Sequence, residues 1–157
     1  MDTNDSTTDQ FGWKTYRNDE YGFEFKYPKA WGIIEVTPPV FVGIVEHPEW
    51  GGATGGVYVS AIDKQTVAIA QLEAQKKAEG NTSNTKYSVP EITTVAGITT
   101  IKRSYQPYEI VPRGIDYIFP EKGLVLTLTN LFTDNKEIDV ESSEIQRAVL
   151  TSFRFTK

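Results

Sequence analysis

The stretch of sequence that decides the fold runs from Trp13 to Trp31 and is WKTYRNDEYGFEFKYPKAW. Within residues 23–27, aromatic side chains alternate with charged ones, which is the period of a β-strand with one buried face. Gly22 and the polar residues before it favour a turn. Pro28 ends the strand because proline has no N–H group for a sheet hydrogen bond. We therefore predict a β-hairpin whose aromatic side chains pack into the core.

Similar patterns predict further strands and two helices in the rest of the chain. The predicted strands are 31–36, 40–45, 57–62, 87–95, 98–105, 114–119, 124–131 and 153–155, and the predicted helices are 63–78 and 139–151. Hairpin connections between most of these strands imply antiparallel pairing. The expected fold class is therefore α+β, with a central antiparallel β-sheet flanked by helices. Four glycines within residues 51–56 predict a mobile loop between two strands.

Length and charge restrict the classes of function. The chain has 157 residues, which is the size of one domain. With 16 basic and 21 acidic residues it carries a net charge of −5, so we do not expect nucleic acid as a partner. Because it has no cysteine and one histidine, disulfides, thiolate chemistry and a multi-histidine metal site are excluded.

The N-terminal residues 1–11 are expected to form a flexible polar leader before a single domain at 12–157. They begin MDTNDSTTDQ, a tract too polar to bury enough surface to offset the entropy of ordering it. Such a tract is typical of the spacer that follows a removed signal or lipid-anchor segment. A cytosolic protein with a ragged N-terminus has the same composition, and the lack of cysteine fits either compartment.

Both ends of the chain resemble PsbP-like domains. The segment from Trp13 to Trp31 resembles their opening pattern Y-G-F-x-F-x-Y-P-x-x-W, and AVLTSFRF at Ala148 to Phe155 resembles their closing L-x-S-F-x-F. The resemblance implies a PsbP-like α/β/α sandwich, in which a central antiparallel sheet lies between helices. It also implies a protein-binding role without a shared catalytic motif, in a family whose bacterial members are often secreted or lipid-anchored. No binding residue is implied, because the matching strings are core aromatics.

Three residues in two connecting segments are the candidate contacts for a partner: Trp50, Tyr108 and Arg113. Trp50 lies beside two glycines, and an exposed tryptophan can anchor a protein or a sugar ring. A large apolar side chain usually finds cover, so the favoured expectation is that Trp50 folds back onto the core. Tyr108 and Arg113 lie in a long link between two strands, where binding residues are common.

Two other groups of residues could support chemistry. Glu46, His47 and Glu49 offer two carboxylates and one imidazole to a cation, although a solvated loop is the more common role of such a string. Asp116, Glu109 and Arg113 could supply a carboxylate pair for acid–base catalysis, but charged residues on strands and loops usually lie on solvated faces.

The sequence thus predicts a non-enzymatic protein-binding or adaptor module, monomeric and without a cofactor or metal. We expect it outside the cytoplasm, secreted or held at the cell envelope by an N-terminal lipid anchor. The alternatives are a metal-dependent hydrolase that uses Glu46, His47 and Glu49, and a sugar-binding module that uses Trp50.

Overall fold

The computed structural model of the protein describes residues 12–62, 86–87, 90–106, 113–133 and 136–156. In chain order the elements are β1 (Lys14–Asn18), β2 (Phe23–Tyr27), β3 (Gly32–Ile33), β4 (Val40–Val45), a 3₁₀ helix (Pro48–Ala53), β5 (Gly56–Ala61), β6 (Lys86–Tyr87), β7 (Glu91–Val95), β8 (Ile98–Gln106), β9 (Gly114–Phe119), β10 (Leu124–Thr129), β11 (Leu131–Thr133), β12 (Lys136–Ile138), α1 (Glu144–Ser152) and β13 (Arg154–Phe155). The predicted leader 1–11 and the predicted helix 63–78 lie outside the described residues.

The described strands form three antiparallel sheets. The largest has eight strands in the order β3-β4-β5-β10-β9-β8-β6, and β7 pairs with β8 beside this path. A second sheet has the order β1-β2-β13, and β11 pairs with β12 in a short ribbon. Every one of these pairings is antiparallel, as the hairpin connections predicted.

The predicted aromatic hairpin is confirmed. Strands β1 and β2 pair from Lys14↔Tyr27 to Asn18↔Phe23, and Gly22 adopts the left-handed conformation (φ 74°) that the turn requires. Phe23 and Phe25 are buried with Phe153 in one cluster that also includes alternate residues of β4, β5, β9 and β10. The core therefore lies between the inner face of this hairpin and one face of the large sheet.

Helix α1 joins the hairpin to the large sheet. It is shorter than the predicted 139–151, because Ser143 caps its N-terminus and accepts a hydrogen bond from the backbone N–H of Gln146. At its other end, the Ser152 hydroxyl accepts a hydrogen bond of 2.8 Å from the backbone N–H of Lys26 in β2. This is the one α-helix among the described residues. The α+β class with an antiparallel sheet is confirmed, whereas helices on both faces of the sheet are not seen in this part of the chain.

The prediction that residues 51–56 lack regular structure is wrong. A 3₁₀ helix occupies Pro48–Ala53, and β5 begins at Gly56. A side chain on Gly55 would overlap the backbone carbonyl of Asn130, and one on Gly56 would overlap that of Ile44. Because these two glycines have no side chain, the neighbouring backbone segments can pack closely against them.

Candidate functional site

Trp50 lies at the surface, and the expectation that it folds back onto the core is wrong. Its side chain is 62% exposed. Its backbone N–H donates a 2.9 Å hydrogen bond to the carbonyl of His47, which closes the turn, and its ring stacks on the imidazole with centroids 4.3 Å apart. The backbone of the turn thus presents the indole to solvent.

The turn that carries Trp50 is tied to the sheet at both ends. The Glu46 N–H donates to the Gly55 carbonyl over 2.9 Å, and the His47 N–H donates to the Thr54 hydroxyl over 3.2 Å. The Glu46 carboxylate accepts a 2.9 Å hydrogen bond from the N–H of Phe132 in β11. These bonds hold the turn in one position without using the indole of Trp50.

A second exposed apolar side chain, Ile33, follows a residue that packs against this turn. Its strand β3 is a two-residue edge strand, and Gly32 lies directly against Pro48, so that a Cβ on Gly32 would be 2.6 Å from the Pro48 Cγ atom. Ile33 is 60% exposed. Because neighbouring residues of a strand point to opposite faces, the Ile33 side chain points away from the face that meets Pro48. We call His47, Glu49 and Trp50 the Trp50 surface; it combines an exposed indole with one exposed carboxylate.

Arg113 lies at the same end of the large sheet as the Trp50 surface. It directly precedes β9, next to the end of β10 and the start of β5. Its carbonyl accepts a 2.7 Å hydrogen bond from the N–H of Asn130, and its guanidinium pairs with Glu137 at 2.9 Å. The segment 130–132 lies between Arg113 and the turn, since it also contacts Gly55 and Glu46. Tyr108 lies outside the described residues.

The three residues proposed for a metal do not form a metal site. The Glu46 carboxylate is used by the backbone of β11, and His47 Nδ1 lies 3.5 Å from a carboxylate oxygen of Glu49. Across the described ranges, no group of three or more His, Cys, Asp or Glu side chains is arranged to hold a metal ion.

Asp116 is buried, so the expectation of a solvated face is wrong for this residue. Its carboxylate accepts hydrogen bonds from Arg103 at 3.1 Å and from the Thr127 hydroxyl at 2.8 Å, on strands that flank β9. Burial raises the pKa of the Asp116 carboxyl group, although the Arg103 charge and both hydrogen bonds oppose the rise. Arg113 pairs with Glu137 instead, and Glu109 lies outside the described residues. Asp116 is thus part of a network within the sheet.

Gln146 is a buried polar residue that the sequence did not single out. Its Nε2 atom donates hydrogen bonds to the carbonyls of Gly56 (3.0 Å) and Thr129 (2.7 Å) and so ties α1 to β5 and β10. No sequence signal marks it, because a glutamine on an amphipathic helix ordinarily faces solvent.

Comparisons with known proteins support the fold alone. No protein-family model matches the chain, and no curated protein sequence matches it. No helix in the described part of the chain is long and apolar enough to cross a membrane. The solution structure of cyanobacterial PsbP (CyanoP) from Synechocystis sp. PCC 6803 is similar over 95% of both chains, with a TM-score of 0.59 and 16% sequence identity. The chain therefore has the PsbP-like fold, as the aromatic strings at its two ends predicted.

Proposed function

We propose that this protein is a non-enzymatic protein-binding or adaptor module, and that its partner contacts the Trp50 surface. The observation that carries the proposal is an indole that is 62% exposed on a turn held by backbone hydrogen bonds. Tryptophan is enriched among the residues that dominate binding energy at protein interfaces. Because the turn is already ordered, binding does not have to offset the entropy of ordering it.

The chemistry of the Trp50 surface restricts the partner. Trp50 offers apolar area to a hydrophobic pocket or groove, while Glu49, one residue before it, adds an exposed negative charge. We expect the partner to present an apolar pocket with a basic residue at its rim. Salt should then slow association, since screening weakens the charge contribution more than the apolar one.

We further propose that the module acts as a monomer outside the cytoplasm, secreted or anchored at the cell envelope. The support is the PsbP-like fold, whose bacterial members are often exported. Fractionation of cells that express the full-length gene tests the location. Recovery of the natural protein only from the cytoplasm would reject it.

Affinity capture with matched variants tests the role of Trp50. Wild type, Trp50→Ala and Ile92→Ala are used as baits; Ile92 is an exposed isoleucine on the distant strand β7. We expect a partner retained by wild type and Ile92→Ala to be lost from Trp50→Ala, and the purified pair to show at least a ten-fold weaker association. Equal retention by all three baits would refute the assignment.

The two alternatives have less support. A hydrolase that uses Glu46, His47 and Glu49 would need the carboxylate of Glu46, which is hydrogen-bonded to the N–H of Phe132. A sugar-binding module would use the indole of Trp50, one face of which is stacked on His47. Glycan-array binding that is lost in Trp50→Ala would favour the sugar alternative over a protein partner.

A further inference from the structure

A pocket of about 230 Å³ lies between α1 and the core-side face of the large sheet. Strands β8, β9 and β10 each contribute one residue, and the rest come from α1 and the segment before it. Its apolar lining consists of Leu128, Val140 and Leu150. The double hydrogen bond from Gln146 to the carbonyls of Gly56 and Thr129 fixes the distance between helix and sheet here. The pocket is therefore bounded by a helix and a sheet whose separation is fixed by hydrogen bonds.

Two cations and one carboxylate border the pocket. Lys102 lies 3.7 Å from the Glu141 carboxylate, a separation too long for a strong hydrogen bond. Arg147 is exposed on α1 and forms no ion pair with a described residue. The border thus carries one more positive than negative charge, and Arg147 is the cation that no carboxylate of the described ranges neutralises.

Tyr117 adds a hydrogen-bond donor inside the pocket. It is 5% exposed, and its neighbour across the sheet is Lys102. Burial, and secondarily the negative charge of Glu141, raises the pKa of its phenol to about 12. Its hydroxyl group therefore keeps its proton at neutral pH, and it has no hydrogen-bond partner among the described residues.

We propose that this pocket binds a small carboxylate with a compact apolar group, whose carboxylate pairs with Arg147 and accepts a hydrogen bond from Tyr117. The apolar group lies on Leu128 and its two apolar neighbours. A cavity of about 150 Å³ holds benzene, so the volume here suits about nine non-hydrogen atoms, which is the size of benzoate. This inference is independent of the function proposed for the Trp50 surface.

The charge specificity of the pocket is tested with three ligands of nearly equal size. Benzoate, the neutral benzamide and the cationic benzylamine are titrated into the ¹⁵N-labelled full chain, and amide shifts are followed by NMR. We expect benzoate to shift signals of α1 and β9 saturably and to bind about ten-fold more tightly than benzamide. Equal binding of benzoate and benzamide, or no saturable shift with benzoate up to about 10 mM, would overturn the proposal.

Variants of the bordering residues test which groups act. Arg147→Gln should weaken benzoate binding about ten-fold, and Tyr117→Phe about five-fold. Glu141→Gln should strengthen it, because the substitution removes a negative charge at the border that repels the ligand carboxylate. Lys136→Gln, which removes an exposed cation from β12 outside the pocket, and Trp50→Ala should leave binding unchanged. Equal losses in Arg147→Gln and Lys136→Gln would show that only net charge matters and would reject the site.

Discussion

Two regions rich in aromatic rings have opposite relations to solvent in this protein. Around β2 and the end of the chain, Phe23, Phe25 and Phe153 are buried, with ring centroids 5.5 to 6.4 Å apart. In the turn after β4, the ring of Trp50 touches the imidazole of His47 and is otherwise largely exposed. Residue type alone does not explain the difference, because tryptophan is also highly buried on average in folded proteins.

The backbone explains the difference between the two regions. In β2, the strand period places Phe23 and Phe25 on one face, where they join Val149 of α1 and Phe153 in the core cluster. In the turn, Pro48 packs on Gly32, and the backbone of Gly55 packs against that of Asn130, so the contacts with the sheet are made by residues other than Trp50. The indole is thus unnecessary to hold the turn. This independence makes the turn a better candidate for binding than the aromatic cluster.

The largest expected effect on stability comes from removing one aromatic ring from the buried cluster. Phe153→Ala should lower the free energy of unfolding by about 3–5 kcal/mol, because Phe153 contacts Phe23, Phe25, Phe119 and Phe155 and its removal leaves a cavity. Urea denaturation followed by circular dichroism measures the loss. Ile92→Ala serves as the control at an exposed site.

If Phe153→Ala fails to fold, the same measurement is made on Phe153→Leu. It should cost less because it leaves a smaller cavity. A loss below about 1 kcal/mol in both variants would contradict the view that this cluster holds the hairpin to the sheet.

A smaller effect on the free energy of unfolding is expected at the buried polar side chain of Gln146. Gln146→Met keeps the length of the side chain but removes the hydrogen bonds that Nε2 donates to the carbonyls of Gly56 and Thr129; Gly56 keeps a longer bond of 3.3 Å from the Thr129 hydroxyl. We expect a loss of about 1–3 kcal/mol, reduced because the buried Gln146 Oε1 atom has no hydrogen-bond partner among the described residues. Arg147→Met, one position along α1, is the matched control and should change stability little. If Gln146→Met left the free energy of unfolding unchanged, the two hydrogen bonds from Gln146 would not be needed for stability.

The sequence predicted the strands and the aromatic core well because both depend on local periodicity. The hairpin at Ala96-Gly97 is an example: both residues have positive φ, the conformation of a two-residue turn, and β7 and β8 pair on either side of it. Strand β4 has the predicted bounds of Val40–Val45. Alternation and turn residues are sufficient for such elements.

Features that depend on contacts between distant segments could not be predicted in this way. The glycines at 55 and 56 suggested irregular structure, but Gly55 is required by the close approach of Asn130, 75 residues away in the sequence, and Gly56 by that of Ile44 in β4. Likewise, the burial of Asp116 depends on partners in the two strands beside β9, and the role of Gln146 depends on carbonyls in β5 and β10. The predicted strand at 31–36 shortens to Gly32–Ile33, although the N–H of Ile34 still donates to the Gly43 carbonyl over 2.9 Å.

The pH dependence of stability tests how the interior tolerates a charge. Because burial raises the pKa of Asp116 above the ordinary value of 3.8, its contribution to stability is full below pH 3.8 and is lost as the pH rises through the folded-state pKa. The stability of wild type relative to Asp116→Asn should therefore fall between acid and neutral pH. Asp19→Asn, at an exposed position, is the control. A relative rise would show that the Arg103 pair outweighs desolvation.

The smallest effect on stability is expected at the turn itself. Trp50→Ala should change the free energy of unfolding by less than about 0.5 kcal/mol, because an exposed side chain outside the hydrogen bonds of the turn contributes little to folding. Glu46→Gln, which weakens the bond to the N–H of Phe132, should cost more although it removes no apolar area. Urea denaturation of the two variants gives both values. If Trp50→Ala were the more damaging, the indole would be part of what holds the turn, and its exposure would no longer favour a role in binding.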